Sequence, residues 1–484
     1  MLVIVALASL VLRDDTGLPW TPPLPPWATV GVTLGAFAAL ALLTHAILWS
    51  LGRRMDRLGS VAAIRRSDAV LAWSRVTAAA LHLAAIFGLG WLDAVRSMIG
   101  DVVLADEAAA VVPFLLFFAA GWWSIHPIDR RVREALMLGR LDRGLSVQPT
   151  PSRAAFVVNA VRHHLAVAVV PVLLLLAWDE GVQRLLHRSG WPGPRGPDWI
   201  SDRVWKGLRQ FAHPAARLLG VAGVFALAPL LLRHIWDTVR LGPGELRDSI
   251  VELCRAGRVR VRELLVWRTG GTMLNGAVIG LFPGTRYILL TDALLELLTP
   301  GQVRAVAAHE IAHVRRRHML WLGLAVLASV FGAALLADRA GRTWLPQDQG
   351  ERWFQACATG ASLAAGLLVF GFASRRFEWQ ADAFAVAHLS GHRDGADGAA
   401  VVTPESVAEM TGALQAVADL NHVPVHRFSF RHGSIADRQR RLARLAWQRI
   451  DRLPADRGAR RVKRSTILGV IVVVAGVAAD AGLW

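Results

Sequence analysis

The sequence predicts a mostly α-helical, polytopic membrane protein, with about eight transmembrane helices and a smaller α+β unit inserted among them. Three observations predict this class. The chain has 484 residues, of which 54% are hydrophobic; the apolar residues gather into long blocks; and arginine-rich loops separate those blocks. A soluble protein of this length would form two or three domains with a more polar average composition.

Most of the positive charge of the chain lies in its loops. The formal net charge is +17, and all 54 basic residues except Lys206 and Lys463 are arginine. Most arginines lie in short loops beside apolar blocks, where they set membrane orientation and meet anionic headgroups. No aromatic-basic signature accompanies them, so nucleic acid is not an expected partner. Cys254 and Cys357 form neither a disulfide framework nor a thiolate metal site.

Apolar runs of about 18 residues or more predict membrane-spanning helices. Eight runs have that length: about 27–51, 71–92, 106–125, 156–178, 216–236, 319–337, 355–373 and 466–483. Residues 1–12 are too short to span comfortably and lack the positive n-region of a signal peptide. Three alternatives therefore stay open for this segment: it spans the membrane, it lies in the membrane interface, or it results from a wrongly assigned start site.

Loop charges predict the orientation of the spans. The loops at 52–70 and 126–153 carry five and six arginines, and basic loops stay in the cytoplasm. We therefore expect a multi-pass protein of the cell membrane with 237–318 and 374–465 facing the cytoplasm. The loop at 179–215 disagrees, because it is also basic although the alternation of spans places it outside.

Spans and loops divide the chain into five predicted regions. These are an N-terminal membrane region with about five spans (1–236), the first part of an α+β unit (237–318), a transmembrane hairpin (319–373), the second part of the unit (374–465) and a C-terminal span (466–484). In the first part, VRVRELLVWR, MLNGAVIGL and RYILLT predict three short strands. DALLELLT predicts a short helix, and Pro300 begins the next. In the second part, helices are predicted at 374–390, 404–420 and 435–453.

The helix after Pro300 carries the motif His309-Glu310-Ile311-Ala312-His313, which matches H-E-x-x-H. On a helix, two histidines at i and i+4 share a face and can both ligate Zn²⁺, while Glu310 points at the metal-bound water as a general base. On one continuous helix His318 would lie about 140° away from that face. An interfacial position is therefore expected for His318.

A catalytic zinc of this kind needs a third protein ligand and an open position. The candidate ligand is Glu378, in the sequence E-W-Q-A-D, and Asp382 one turn later is placed to orient a ligating histidine. The alternative is a solvated face of an amphipathic helix, or pairing with Arg375. That alternative explains one acid, but explains less well an E-x-x-A-D sequence that follows H-E-x-x-H across one membrane hairpin.

In these motifs the chain resembles the HtpX and CAAX-prenyl-endopeptidase group of membrane zinc metallopeptidases, over about residues 245–453. NGAVIG is similar to the group's N-A-x-x-x-G edge strand, and RHGSIADRQRRL to its H-P-x-x-x-x-R segment. TDALLELLTPGQVRAVAAHEIAH looks like the helix that leads into its zinc helix. Gly276 and Gly433 depart from the pattern, which has Ala and Pro there. Membrane-sensor metallopeptidases of the antibiotic-receptor type share H-E-x-x-H but lack the other two patterns.

The resemblance implies a zincin-like metalloprotease fold for the α+β unit, with one Zn²⁺ per chain. The implied metal ligands are His309, His313 and Glu378, with Glu310 as base and proton shuttle and Asp382 in support. The implied substrate-facing residues are His432 and Arg438 near the scissile carbonyl, and Asn275, Gly276, Ala277 and Gly280 on the edge strand.

The expected function is an integral-membrane zinc endopeptidase that cleaves membrane or membrane-associated polypeptides at the cytoplasmic face. The zinc-bound water, activated by Glu310, is the expected nucleophile, and the expected partners are a polypeptide substrate and the lipid bilayer. The sequence specifies no oligomeric state. The alternative is a catalytically silent scaffold or regulator that keeps the fold, and the intact Glu310 argues against it. A proton-relay transporter would leave the strand-rich insert unexplained.

Overall fold

The computed structural model describes residues 2–480 except 17–22, 59–60, 103, 142–149, 190–201, 271–272, 345–349, 392–400 and 422. Parts of the predicted loop at 179–215 and of the predicted span at 466–483 lie outside the described residues. Within them, eight helices are long and apolar enough to cross a membrane: Pro26–Arg57, Ala62–Leu89, Ala105–Ala135, Arg153–Leu186, Ala215–Ile235, His318–Thr343, Cys357–Leu389 and Ile450–Ala479. The predicted class, a mostly helical multi-pass membrane protein, is confirmed.

The chain divides into two compact units, 1–236 and 237–484. The helices of the first unit are α1 (Leu2–Thr16), α2 (Pro26–Leu58), α3 (Val61–Ala84), α4 (Trp91–Ile99), α5 (Ala105–Leu141), α6 (Arg153–Ala160), α7 (Val167–Ser189) and α8 (Asp202–Ile235), with π-helical turns at Ala85–Leu89 and Val161–Ala166. Fully buried Phe114 centres an aromatic cluster where α2, α3 and α5 meet. The unassigned N-terminal segment is the helix α1, whose 15 residues reach about 22 Å, short of a hydrocarbon core of about 30 Å.

The second unit combines a small sheet with eight helices among its described residues. Its strands are β1 (Thr238–Arg240), β2 (Glu263–Trp267), β3 (Gly276–Ile279) and β4 (Tyr287–Thr291). Its helices are α9 (Glu245–Ala256), α10 (Asp292–Leu297), α11 (Pro300–Arg315), α12 (His318–Trp344), α13 (Gly350–Leu389), α14 (Pro404–Leu420), α15 (Ile435–Ala443) and α16 (Pro454–Asp480). The three predicted strands are present as β2, β3 and β4, while β1 was not predicted.

The sheet has the strand order β1-β2-β4-β3. Strands β2 and β4 are parallel, and both outer pairs are antiparallel. All five residues of β4 are buried, as expected for an uninterrupted apolar run at the centre of a sheet. Strand β3 is an edge strand, which pairs with β4 on one side and lies against α11 on the other.

Helix α11 lies in the core of the second unit and contacts α9, α13 and α14. Ala305, Ala308 and Ala312 are almost fully buried on it, and such small side chains allow neighbouring helices to approach closely. A capping box between Thr299 and Gln302, with proline at the first helical position, fixes where α11 begins. The capping sequence thereby sets the rotation of every later residue on this helix.

Two helix predictions in the second part differ from the structure. The helix predicted at 374–390 is the end of α13, which begins at Gly350 and crosses the predicted boundary at 373 without a break. The single helix predicted at 435–453 is wrong. α15 ends at Ala443, and Trp447 has φ of 64°, a left-handed conformation that cannot continue a right-handed helix. Pro454 then begins α16.

Replacing Gly280, at the end of β3, by alanine is expected to destabilise the protein by at least about 1–3 kcal/mol. Gly280 has φ of 105°, and a Cβ there would lie 2.3 Å from the Thr285 carbonyl oxygen. Gly284→Ala is the matched control, because open space surrounds its Cβ position. Thermal unfolding of the full chain in detergent, followed by tryptophan fluorescence, should show a lower Tm for Gly280→Ala alone. Equal Tm values for the two variants would contradict the prediction.

Candidate metal centre

Three predicted ligands come together in the second unit, from two helices that are far apart in the sequence. His309 and His313 lie one turn apart on α11, with their Nε2 atoms 3.2 Å from each other. Glu378 on α13 places Oε2 at 3.6 Å from His309 Nε2 and Oε1 at 3.6 Å from His313 Nε2. All three donor atoms lie within 4.8 Å of one another.

The donor atoms fit a zinc ion in both spacing and chemistry. In a tetrahedral site with Zn–N distances of about 2.0–2.1 Å, ligand atoms are about 3.3 Å apart, which is close to the separations found here. Two imidazoles and one carboxylate are also a known ligand set of catalytic zinc. The Nδ1 atoms of His309 and His313 face Asp382 and His318, so the two Nε2 atoms present lone pairs toward the same point.

The electrostatics of the site favour one positive charge at this point. Burial lowers the pKa of His309, but its contacts with Asp382 and Glu378 outweigh burial and raise that pKa to about 10. The pKa of His313 is held well below its usual value, first by burial and next by His309. The two histidines together therefore carry the charge of one proton, and a metal ion bound at the two Nε2 atoms would take the place of that proton.

Glu310 lies beside the ligands and is held by the edge strand. Its Oε2 accepts a hydrogen bond of 3.2 Å from the backbone N–H of Val278 on β3. Burial raises the pKa of Glu310, whereas His309 and the Val278 amide lower it. The effect of burial is the larger, so the pKa of Glu310 lies above its usual value. A raised pKa suits a carboxylate that takes a proton from water near neutral pH.

The glycine at 276 explains how β3 comes so close to the metal-binding helix. A Cβ at Gly276 would lie 2.7 Å from Val306 Cγ1 and 3.7 Å from Glu310 Cγ. Glycine, where the resembled group has alanine, therefore leaves room for the Val306 side chain on α11. Of the other predicted edge-strand residues, Ala277 pairs with Leu289 of β4, and Gly280 ends the strand.

Asp382 supports His309 and is itself neutralised by Arg438. Asp382 Oδ1 lies 2.9 Å from His309 Nδ1, although the ring N–H is not aimed straight at the oxygen. Arg438 Nε and Nη2 donate to the two Asp382 oxygens at 2.8 and 2.6 Å. The Asp382 side chain is buried, the Arg438 side chain is 14% exposed, and Arg438 Nη1 lies 3.5 Å from Glu378 Oε2. The guanidinium group of Arg438 thus faces the carboxylates of Asp382 and Glu378.

His432 lies on an exposed loop above the candidate ligand Glu378. Its Nδ1 is 3.0 Å from Glu378 Oε2, and 45% of its side chain is exposed. The next residue, Gly433, has φ of 75° and donates its backbone N–H to the Ser429 carbonyl oxygen at 2.8 Å. Proline has φ near −65° and no N–H, so the loop differs in conformation from a loop with proline at this position.

Two residues that the sequence analysis did not assign to the site lie directly behind it. His318 was expected at the membrane interface, but it is only 2% exposed, and its Nδ1 lies 3.1 Å from His313 Nδ1. The expectation assumed one continuous helix, whereas α11 ends at Arg315 and Arg317 has φ of 53°. Gln380 is also buried and contacts His318. The only feature of the sequence that pointed to Gln380 was its position between Glu378 and Asp382.

The fold and the site together define a multi-pass helical membrane protein with a zincin-type α+β unit. Residues 263–446 match the family model described as Peptidase family M48. The match covers less than half of the chain. It includes β2, the H-E-x-x-H helix, Glu378 and the loop with His432.

Curated relatives match part of the chain. It is 28% identical over 189 residues to Protease HtpX of Pseudomonas entomophila, which covers 37% of this chain and 58% of that protein. A Protease HtpX homolog of Persephonella marina is 33% identical over 97 residues, or 20% of this chain and 32% of the homolog. The chain thus spans little more than half the length of the first of these relatives.

Among solved structures, S. mikatae Ste24p aligns over 87% of this chain and 99% of its own, with 14% identity and a TM-score of 0.36. A score of that size does not establish a shared overall arrangement.

Proposed function

We propose that this protein is an integral-membrane, zinc-dependent endopeptidase that cleaves membrane or membrane-associated polypeptides at the cytoplasmic face. The observation that carries the proposal is the convergence of His309, His313 and Glu378 beside the Glu310 carboxylate. A metal-binding scaffold that had lost its activity would not need that carboxylate. The match to peptidase family M48 over residues 263–446 points the same way.

The chemistry proposed for the site is hydrolysis of a peptide bond. His309, His313 and Glu378 would hold the zinc ion, which when bound polarises the scissile carbonyl and makes a neighbouring water more acidic. Glu310 accepts a proton from the attacking water as its oxygen bonds to the carbonyl carbon. When the C–N bond breaks, Glu310 delivers the proton to the leaving amine. The Val278 amide keeps the Glu310 carboxylate oriented through both steps.

The edge strand supports a limited form of strand addition. Among the described residues, no other strand pairs with β3 on the side of α11, where an extended peptide would lie. However, the Val278 N–H already donates to Glu310. A substrate backbone along β3 therefore uses neighbouring groups, such as the Val278 carbonyl, unless Glu310 releases this amide.

His432 and Arg438 take different proposed roles. His432 is exposed and faces the site, but its Nδ1 is engaged with Glu378, so it donates to a substrate oxygen through Nε2 only as an imidazolium. Arg438 is committed to Asp382 by two hydrogen bonds. We therefore assign Arg438 to holding Asp382 and Glu378 in place, whereas the sequence analysis placed it near the scissile carbonyl.

The connection of the site to apolar helices supports a membrane-associated substrate. His318, the first residue of α12, follows three residues after the last residue of α11, and α12 continues as a candidate span. Glu378 lies near the end of α13, after its apolar part. We therefore propose that the metal centre lies within a few helical turns of the bilayer surface, and the arginine-rich loops support a position on the cytoplasmic side.

Glu310→Gln is expected to keep one zinc ion per chain and to lose about 10²–10⁴-fold of proteolytic rate, the usual contribution of general acid–base catalysis. His309→Ala and Glu378→Ala are expected to lose both zinc and activity. The full chain in proteoliposomes is assayed with casein and a single-span model membrane protein, and metal content is measured by mass spectrometry. Glu405→Gln, which changes an exposed glutamate on α14, serves as the matched control.

Equal cleavage by wild type and Glu310→Gln would overturn the mechanism. Full zinc in both His309→Ala and Glu378→Ala would overturn the ligand set. Zinc binding with no cleavage by the wild type would favour the silent scaffold. Chelation should abolish activity, and added Zn²⁺, but not Mg²⁺, should restore it, because the site offers nitrogen donors.

A further inference from the structure

A chain of polar contacts leads from His313 through three helices of the second unit. His313 Nδ1 lies 3.1 Å from His318 Nδ1, and His318 Nε2 lies 2.9 Å from Gln380 Oε1. Gln380 Nε2 in turn is hydrogen-bonded to Asp456 Oδ1. The contacts therefore join α11 to α12, α13 and α16. His318 and Gln380 are 2% and 5% exposed, so water does not replace these partners.

The direction of each hydrogen bond follows from the acid at the end of the chain. An ionised Asp456 only accepts, so Gln380 presents its NH₂ group to Asp456 and its carbonyl oxygen to His318. His318 then donates from Nε2 and, as a neutral ring, accepts at Nδ1. His313 must donate from Nδ1 to that nitrogen. The same tautomer leaves a lone pair on His313 Nε2, the atom that faces His309 and Glu378.

We propose that His318, Gln380 and Asp456 are positioning residues that fix the tautomer and ring orientation of His313 for metal binding. The proposal rests on the proposed function, since it assigns these residues a role toward the same zinc. The His318 ring is itself held by stacking on Phe377, with centroids 4.6 Å apart and planes 8° apart. Partners of this kind behind a metal ligand typically contribute 10–100-fold to metal affinity.

The two zinc histidines are thus supported in two different ways. Asp382 contacts His309 directly and is neutralised by Arg438. His313 is supported through two neutral side chains that end at Asp456, near the start of α16. Because α16 continues as the last candidate span, the position of this membrane helix bears on the orientation of a metal ligand.

Removing the relay is expected to weaken zinc binding about 10–100-fold. His318→Phe keeps the ring but deletes both nitrogens, and Gln380→Met keeps the length but deletes the amide. Zinc affinity of the full chain in detergent is measured by competition with a chromophoric chelator. His388→Phe is the matched control, because His388 is likewise a buried histidine stacked on a phenylalanine, Phe384. The visible spectrum of the Co²⁺-substituted protein should change for His318→Phe and stay unchanged for His388→Phe.

Variants of Asp456 separate hydrogen-bond direction from simple packing. Asp456→Asn still offers a carbonyl oxygen to Gln380 and should bind zinc within about threefold of wild type, whereas Asp456→Leu should lose affinity as Gln380→Met does. Wild-type affinity in His318→Phe and Gln380→Met would overturn the proposal, as would equal losses in Asp456→Asn and Asp456→Leu. A wild type that binds no zinc would instead overturn the proposed function itself.

A separate observation concerns a cavity of about 730 Å³ that adjoins the metal centre, with Glu378 and His432 in its wall. Helices α12 and α16 contribute small residues to it, such as Ala325 and Gly469. Six arginines also line it: Arg375, Arg376, Arg438, Arg441, Arg457 and Arg461. The acidic residues in the same lining are Glu378 and Asp437, so cations outnumber anions by four.

Some of these arginines are engaged with neighbouring groups. Arg438 is paired with Asp382 and Arg441 with Asp437, while Arg375 donates to the Phe430 carbonyl oxygen. Arg457 and Arg461 lie one turn apart on one face of α16, and both are exposed. They are therefore placed to meet an anion that enters the cavity.

We infer that this cavity receives a carboxylate of the polypeptide substrate, from an acidic side chain or the chain terminus, close to the scissile bond. This inference also rests on the proposed function. The shared wall at Glu378 and His432 favours a peptide over a lipid, because the occupant lies next to the reacting bond. Steering by opposite charge raises the productive binding of such a substrate.

The substrate preference is tested with matched peptides that carry Asp, Asn or Lys at single positions near the cleavage site, and with peptides of free or amidated C-terminus. Arg457→Ala/Arg461→Ala should lower kcat/KM about tenfold for carboxylate-bearing peptides, the sum of two modest ion pairs. The Asn peptide with an amidated terminus should be cleaved as before. Arg460→Ala/Arg464→Ala is the control, because it removes the same charge from the same helix outside the cavity lining.

Arg457→Glu/Arg461→Glu should reverse the preference toward the Lys peptide. An equal loss for all peptides, or an equal loss in the control pair, would overturn the inference. A loss that depends on anionic lipid in the vesicles but not on peptide charge would also overturn it, and would identify a lipid headgroup as the occupant. Uncharged peptides cleaved normally by all variants would leave the proposed endopeptidase function intact.

Discussion

The packing of α11 against α13 is the contact on which the rest of the site depends. It brings His309 and His313 to Glu378, although a membrane hairpin separates them in the sequence. Small residues allow this approach, since Ala308 and Ala312 on one helix and Ala381 and Ala385 on the other are almost fully buried. A bulkier side chain in this contact would force the helices apart, because protein interiors have little free volume. Donor atoms 3.2–3.6 Å apart tolerate no such shift.

The buried charges of the site are stable only as a connected set. Glu378 and Asp382 are nearly inaccessible to solvent, and isolated carboxylates in such a place would be strongly unfavourable. Arg438 offsets Asp382, the histidines and the proposed zinc ion offset Glu378, and the Val278 amide donates to Glu310. Each group that performs chemistry is thus held by a partner on a neighbouring element. That arrangement fixes orientation, which is what a hydrolytic site requires before substrate arrives.

The sequence predicted the local parts of this site and missed those that depend on turns. The i, i+4 spacings of His309 with His313 and of Glu378 with Asp382 are helical periodicities, so their common faces could be predicted. His318 could not be placed, because the chain leaves the helix at Arg317 in a left-handed conformation that no glycine marks. Trp447 interrupts the predicted helix at 435–453 for the same reason. The three-residue strand β1 is too short to show an alternating pattern.

In the proposed metal centre, one zinc ion is held by two imidazoles from α11 and one carboxylate from α13, with His318 and His432 outside the ligand set. X-ray absorption at the zinc edge, on the purified full chain, tests it most directly. This ligand set predicts nitrogen and oxygen neighbours at about 2.0–2.2 Å, outer-shell scattering from two imidazole rings and no sulfur neighbour at about 2.3 Å. Scattering from three imidazoles, or a sulfur neighbour, would contradict it.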